Sequence, residues 1–99
     1  MVIQVLEQDL SLFYRRAKES YLECVSNPEN VFLQDEVQVP ATAIELREIT
    51  VKVVFECRNA STYLLEVFLA LHANGKAIGR YECMMDKEGT VFEDNLVFY

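Results

Sequence analysis

The chain has 99 residues, of which 52% are hydrophobic and 25% are charged, a composition typical of a globular domain and not of a disordered segment. Its formal net charge of −7 argues against a protein that binds a nucleic-acid backbone, because such a protein needs a basic surface. We therefore expect one domain over residues 1–99 with no direct nucleic-acid contact. An acidic balance suits either a basic protein partner or solubility alone.

The three cysteines, Cys24, Cys57 and Cys83, are widely spaced and odd in number, which indicates reduced thiols in a reducing compartment. None lies in a CxxC pair or beside His72, so we expect no metal site and no cofactor. The first ten residues lack the features of a signal peptide, and no apolar run approaches the roughly 20 residues that span a membrane. The expected location is the cytoplasm, away from membranes.

Residues Leu6–Val25 have the periodicity of an amphipathic helix. The apolar side chains follow one another at spacings of three, four and one, and form a single stripe. Asn27-Pro28 should end the helix, because a proline disfavours helical geometry in the residue before it. The stripe consists of Leu6, Leu10, Phe13, Tyr14, Ala17, Tyr21, Cys24 and Val25.

Two strands are expected next. Val31–Val39 alternates between apolar and polar residues and ends at Pro40, and Asp35 on its apolar side suits the guard of an edge strand. Ala41–Arg47 is ambiguous, because the apolar parity changes before the strand that starts at Ile49. A bulge or bend near Arg47-Glu48 would absorb that change.

The most apolar part of the chain is predicted to be a hairpin of Thr62–His72 and Lys76–Met85. Asn74-Gly75 provides the residues that a tight turn with positive φ favours. A two-residue loop would set Leu69 opposite Arg80, whereas a three-residue loop with Gly75 left-handed sets Leu69 opposite Tyr81. We favour the second register, because it places apolar against apolar residues on one face. A helix over Thr62–Ala73 remains the alternative, since Ser61 is a suitable cap and the composition favours helices.

The last strand is predicted at Val91–Tyr99. Asp86-Lys87-Glu88-Gly89 before it suits a type I turn, with Asp first and Gly last. The run Glu93-Asp94-Asn95 interrupts both apolar parities, which indicates either a bulge or a strand with two partly covered faces.

These elements predict an α+β fold in which one N-terminal helix packs on a four- to five-stranded antiparallel sheet. The order resembles that of cystatin-like and NTF2-like domains in architecture alone. The sheet face away from the helix carries apolar residues, which suggests that another surface covers it. A homodimer through that face or through the C-terminal strand is one explanation, and a bound partner is the other. The apolar residues of that face are Val54, Leu64, Phe68 and Ala70.

No nucleophile with a base, metal cluster or phosphate loop is recognisable, so we expect no catalytic residue and no enzyme. His72 beside the hairpin turn is expected to be a solvated surface residue. The segment Glu7–Glu23 has four acids and three bases, but from Glu29 onward there are twelve acids and six bases. The acidic excess therefore belongs to the sheet and its loops. The predicted partner-binding residues are Glu82, Asp86, Glu88, Glu93 and Asp94, with Asp35 and Glu36 as a second group.

Such an acidic patch on a small scaffold can steer and hold a basic protein. The hypothesis is a small inhibitor that neutralises a larger, basic partner. In being small, acidic and without motifs, the chain resembles toxin-immunity proteins and phage inhibitors of host defence, anti-CRISPR proteins included. The alternatives are a structural homodimer and an NTF2-like small-ligand binder or enzyme, whose cavity between helix and sheet would be lined by Tyr14, Tyr21, Tyr63, Tyr81 and Asp35.

Overall fold

The computed structural model describes residues 7–27, 29, 43–56 and 59–99. All four strands of the described sheet are antiparallel, and each pairs with its neighbour in sequence, in the order β1-β2-β3-β4. The predicted α+β class, one helix on an antiparallel sheet, is confirmed. The predicted strand Val31–Val39 lies outside the described residues. The elements are α1 (Glu7–Ser26), β1 (Glu45–Glu56), β2 (Asn59–Ala73), β3 (Lys76–Asp86) and β4 (Val91–Phe98).

Helix α1 lies within one residue of its predicted bounds and packs its apolar stripe on the sheet. Phe13, Ala17 and Tyr21 are buried, at spacings of four that place them on one side of the helix. The helix ends before Asn27, as the Asn-Pro pair predicted. Leu22, away from the stripe, keeps 57% of its surface exposed.

The central hairpin of β2 and β3 has the predicted register but a different tip. Leu69 pairs with Tyr81, as expected from the three-residue loop. The turn itself is only Asn74-Gly75, with φ of 53° and 75°, the two positive values of a type I′ turn. One extra residue, Ile78, then bulges from β3 and shifts the pairing. The strand assignment also shows that the alternative helix over Thr62–Ala73 is wrong.

Strand β1 contains the bulge that its change of parity predicted. The pairing with β2 shifts between Glu48 and Thr50, so Ile49 is the extra residue. Leu46 and Val51, on either side of the bulge, therefore face the helix together. Ile49 itself is 58% exposed.

A four-residue turn joins β3 to β4 and forms as predicted. The Gly89 amide donates to the Asp86 carbonyl at 3.0 Å, and Gly89 has φ of 87°. A bulge at Phe92 follows, because Met85 pairs with Val91 whereas Met84 pairs with Glu93. This bulge lies one residue before the Glu93-Asp94-Asn95 run that indicated it.

The core lies between α1 and one face of the sheet. Alternate residues of the two central strands point into it, and β2 therefore shows the period of two that distinguishes a strand from a helix. The ring of Tyr81 packs edge-on against that of Tyr21, with centroids 5.6 Å apart. The buried hydrophobic residues of the sheet are Leu65, Val67, Leu69, Leu71, Ala73, Tyr81, Cys83 and Met85.

We call the other side of the sheet, opposite α1, the far face. No described element packs against it. Its predicted apolar residues lie where the sequence placed them, on the side opposite the buried set, and the strand pairing adds three more apolar residues to this face. Val54 is 37% exposed, Ala77 is exposed and the others are half-buried. The apolar residues of the far face are Val54, Leu64, Phe68, Ala70, Ala77, Met84 and Val97.

Candidate acidic docking site on the far face

An open depression of about 320 Å³ lies on the far face, over β2, β3 and β4. Pairing aligns Glu66, Met84 and Glu93 in one row across the three strands, with Met84 in the middle. Glu82 lies two residues from Met84 on the same face, and its carboxylate accepts a hydrogen bond of 3.1 Å from the side-chain Nδ2 of Asn95. Neighbouring strands lie about 4.8 Å apart, so the Cα atoms of Glu66 on β2 and Glu93 on β4 are roughly 10 Å apart. We call this feature the acidic depression.

The three carboxylates of the acidic depression make no ion pair with any described residue. Outside the depression, three acids are paired within the chain, Glu19 with Arg16, Glu45 with Arg47 and Glu48 with Lys18, whereas the exposed Glu23 and Glu88 make no ion pair with a described residue. The depression is therefore a place where negative charge stays available to another molecule. Met84 at its centre adds a half-buried apolar surface between the charges.

Asp94 neighbours Glu93 in sequence but faces the opposite side of the sheet. It pairs with the buried Cys83, and its Oδ2 accepts a hydrogen bond of 2.9 Å from the Tyr81 hydroxyl. Since the Tyr81 proton is directed to Asp94, the Ser20 hydroxyl of α1 donates to the Tyr81 oxygen, at 2.7 Å. Asp94 thus joins β4 to β3 and the helix.

This hydrogen-bonded chain and the core around it perturb two acidic groups. Burial raises the pKa of Tyr81 well above its ordinary value; the Ser20 hydrogen bond opposes this rise, and Asp94 adds to it. Burial raises the pKa of the Cys83 thiol to about 11, again with a contribution from Asp94. Both groups are therefore neutral at physiological pH. Burial and the nearby Asp94 both disfavour the thiolate of Cys83 and the phenolate of Tyr81.

Asp86 and Glu88 belong to the β3–β4 turn. The Asp86 Oδ1 atom accepts hydrogen bonds from the backbone amides of Glu88, at 3.0 Å, and Thr90, at 2.9 Å. This carboxylate therefore acts as a structural acceptor that closes the turn. Glu88 is exposed. The turn also contacts the helix, since Arg16 Nε donates to the Gly89 carbonyl at 3.1 Å.

The structure thus divides the predicted partner-binding residues. Glu82 and Glu93 come together in the acidic depression, whereas Asp94 faces the helix, and Asp86 and Glu88 lie at the turn. Asp35 and Glu36 are outside the described residues. Sequence reasoning missed Glu66, although the register that it favoured already placed Glu66 opposite Met84.

Of the four tyrosines considered for a ligand cavity, Tyr14 and Tyr63 are half-buried, and Tyr21 and Tyr81 are buried. Tyr21 and Tyr81 are 4% and 0% exposed and pack on each other between helix and sheet. Tyr63 contacts Phe55, with ring centroids 6.2 Å apart, and Asp35 is not among the described residues. The space proposed for a ligand is occupied at Tyr21 and Tyr81 by side chains.

His72 differs from its expected solvated state. It is half-buried, and no described group lies within hydrogen-bond distance of its enclosed Nδ1 atom. It pairs with Glu45 on β1 and Ala77 on β3.

Across the described ranges, no three His, Cys, Asp or Glu side chains are grouped as metal ligands. α1, the helix of the described part, is not apolar enough to cross a membrane. Comparison of the chain with protein-family models, with curated proteins and with solved structures finds no match in any of the three.

Proposed function

We propose that this protein is a small binding protein that inhibits or neutralises a larger basic protein partner. The observation that carries the proposal is the acidic depression, in which Glu66, Glu82 and Glu93 keep their charges unpaired within the described structure. Carboxylates held on the strands of a sheet need little further ordering to meet a partner, and preorganised charge favours rapid and specific association.

The partner class follows from the sign of the charge. A net charge of −7 repels nucleic acid and other acidic surfaces, and it accelerates encounter with a basic one. An acidic protein that covers a basic groove blocks whatever that groove would otherwise bind. The proposed function is therefore binding that blocks the basic groove of the partner.

The test uses the partner that the wild-type protein retains from its source cell, or from the host of that cell, at low and high salt. The double variant Glu82→Lys/Glu93→Lys reverses two charges of the acidic depression, and the activity of the isolated partner is measured with and without each protein. We expect a stoichiometric, basic partner that the wild type inhibits. The double variant should bind it at least about tenfold more weakly, since like-charge contacts cost more than 1.4 kcal/mol.

Glu23→Lys is the control, because Glu23 lies exposed on α1, away from the far face. It should leave partner affinity within about twofold. Asp94 is left intact, because its reversal would remove the acceptor of the Tyr81 hydroxyl and confuse binding with folding. A partner whose activity is unchanged by the bound wild-type protein would contradict inhibition.

A further inference from the structure

The far face combines its acids with a half-buried apolar surface, and a molecule that docks there must fit both features. Phe68 lies in the row next to Met84, and Leu64 in the row on its other side. These side chains are half-buried, with no described element over them. A docked molecule would therefore bury apolar surface as well as charge. This argument rests on the proposed function and concerns the chemistry of the partner segment.

A second copy of the chain does not suit this surface. A two-fold interface places the same patch against itself, and the described side chains of the far face include five acids and three bases. Glu66 and Glu82 lie on the two central strands, so the copies of these carboxylates would meet near the middle of the interface. Such contacts between like charges cost several kcal/mol. The acids are Glu45, Glu66, Glu82, Asp86 and Glu93, and the bases are Arg47, Lys52 and Arg80.

A purely apolar partner does not suit it either, because it would bury the carboxylates without a counter-charge. The chain itself shows which contact the surface accepts. The Lys52 ammonium lies over the Phe68 ring, 4.9 Å from its centroid. A basic group with an aliphatic stem is thus already accommodated beside the acidic depression, through the attraction of a cation to an aromatic face.

From this charge complementarity we infer that the far face docks a basic amphipathic helix of the partner. Its arginine or lysine side chains pair with Glu66, Glu82 and Glu93, and its apolar residues pack on Leu64, Phe68 and Met84. The width fits, since four strands span roughly 14 Å and a helix with its side chains measures about 10–12 Å. The sheet would then be covered by a helix on each side.

The test uses two synthetic helical peptides of equal charge. One has arginine and leucine interleaved along one face, and the other has serine in place of each leucine. Calorimetry gives their affinities, and amide chemical shifts give the site of contact. We expect the leucine peptide to bind roughly tenfold more tightly, the effect of burying about 55 Å² of apolar surface, and to shift the amides of Glu66, Met84 and Asn95.

Three variants sharpen the result. Met84→Ser should remove most of the preference for leucine, Glu82→Lys/Glu93→Lys should weaken both peptides, and Glu23→Lys should change neither. Equal affinity for the two peptides, or shifts centred on α1 or on the β3–β4 turn, would overturn the inference. A cellular partner that binds the charge-reversed protein as tightly as the wild type would refute this docking surface but leave the proposed function standing. If the peptide contacts the far face but no cellular partner is inhibited, the proposed function would be refuted and the docking surface would stand.

Discussion

The hydroxyl of Tyr81 gives the sharpest test of how the helix is held on the sheet. The substitution Tyr81→Phe keeps the ring, which is fully buried against Tyr21, and removes only the oxygen. That oxygen donates to Asp94 and accepts from Ser20. The change therefore breaks two hydrogen bonds that join α1, β3 and β4 and leaves the packing almost unaltered.

The expected cost follows from these two bonds. Each is worth about 1 kcal/mol net, and water can reach the exposed Asp94 and the half-buried Ser20 after the change, so no deeply buried group is orphaned. We expect a loss of about 2 kcal/mol in the free energy of unfolding. For a chain of this size that corresponds to a fall in Tm of roughly 8–16 °C.

Urea denaturation followed by circular dichroism measures this difference, with an unchanged dependence on urea as the sign that both proteins unfold alike. Tyr63→Phe is the matched control, because the Tyr63 hydroxyl has no hydrogen bond to a described residue and its removal should cost little. A Tyr81→Phe protein as stable as the wild type would refute the reasoning, since the network would then contribute nothing. A loss above about 4 kcal/mol would mean that the ring itself had moved.

Three further predictions concern the turns, the strand contacts and pH. Gly79→Ala should cost about 2 kcal/mol in urea denaturation, because its Cβ would lie 2.4 Å from the Val97 carbonyl oxygen. Asp86→Ala should cost about 1 kcal/mol, since two turn amides lose their acceptor, whereas Asp86→Asn should cost less. The raised pKa values of Cys83 and Tyr81 mean that the unfolded chain releases these protons first as pH rises. The free energy of unfolding should therefore stay constant below pH 9. It should fall between pH 9 and about 11 because of Cys83, and from pH 10 upward because of Tyr81. If the Tyr81→Phe protein loses stability above pH 10 as steeply as the wild type, the prediction for Tyr81 is contradicted.

Much of this fold was readable from the sequence because its strongest patterns are local. The apolar stripe of α1, the Asn74-Gly75 turn and the alternation of β2 each follow from contacts between near neighbours. Once Leu69 was placed opposite Tyr81, the side of the sheet on which each residue of β2 and β3 lies was also determined. Matching apolar residues across a hairpin is enough to fix that register.

The bulges limited what could be predicted about the site. Sequence indicated that Glu82 and Glu93 would lie on neighbouring strands, and they do. It could not separate Glu93 from Asp94, because regular alternation from Val91 would point Glu93 at the helix and Asp94 at the far face. The bulge at Phe92 reverses this assignment. Its position depends on the pairing with β3, which the β4 sequence alone does not contain.

The bulge at Ile78 also bears on how the length of this hairpin can vary. Without Ile78, His72 would still pair with Ala77, and Leu71 would still pair with Gly79. A deletion at that point therefore preserves which side chains face α1 and which form the acidic depression. A deletion in the middle of β3 would instead reverse the faces of the remaining strand. A deletion at the tip of this hairpin therefore keeps both the surface that packs on α1 and the acidic depression, whereas a deletion in the middle of β3 does not.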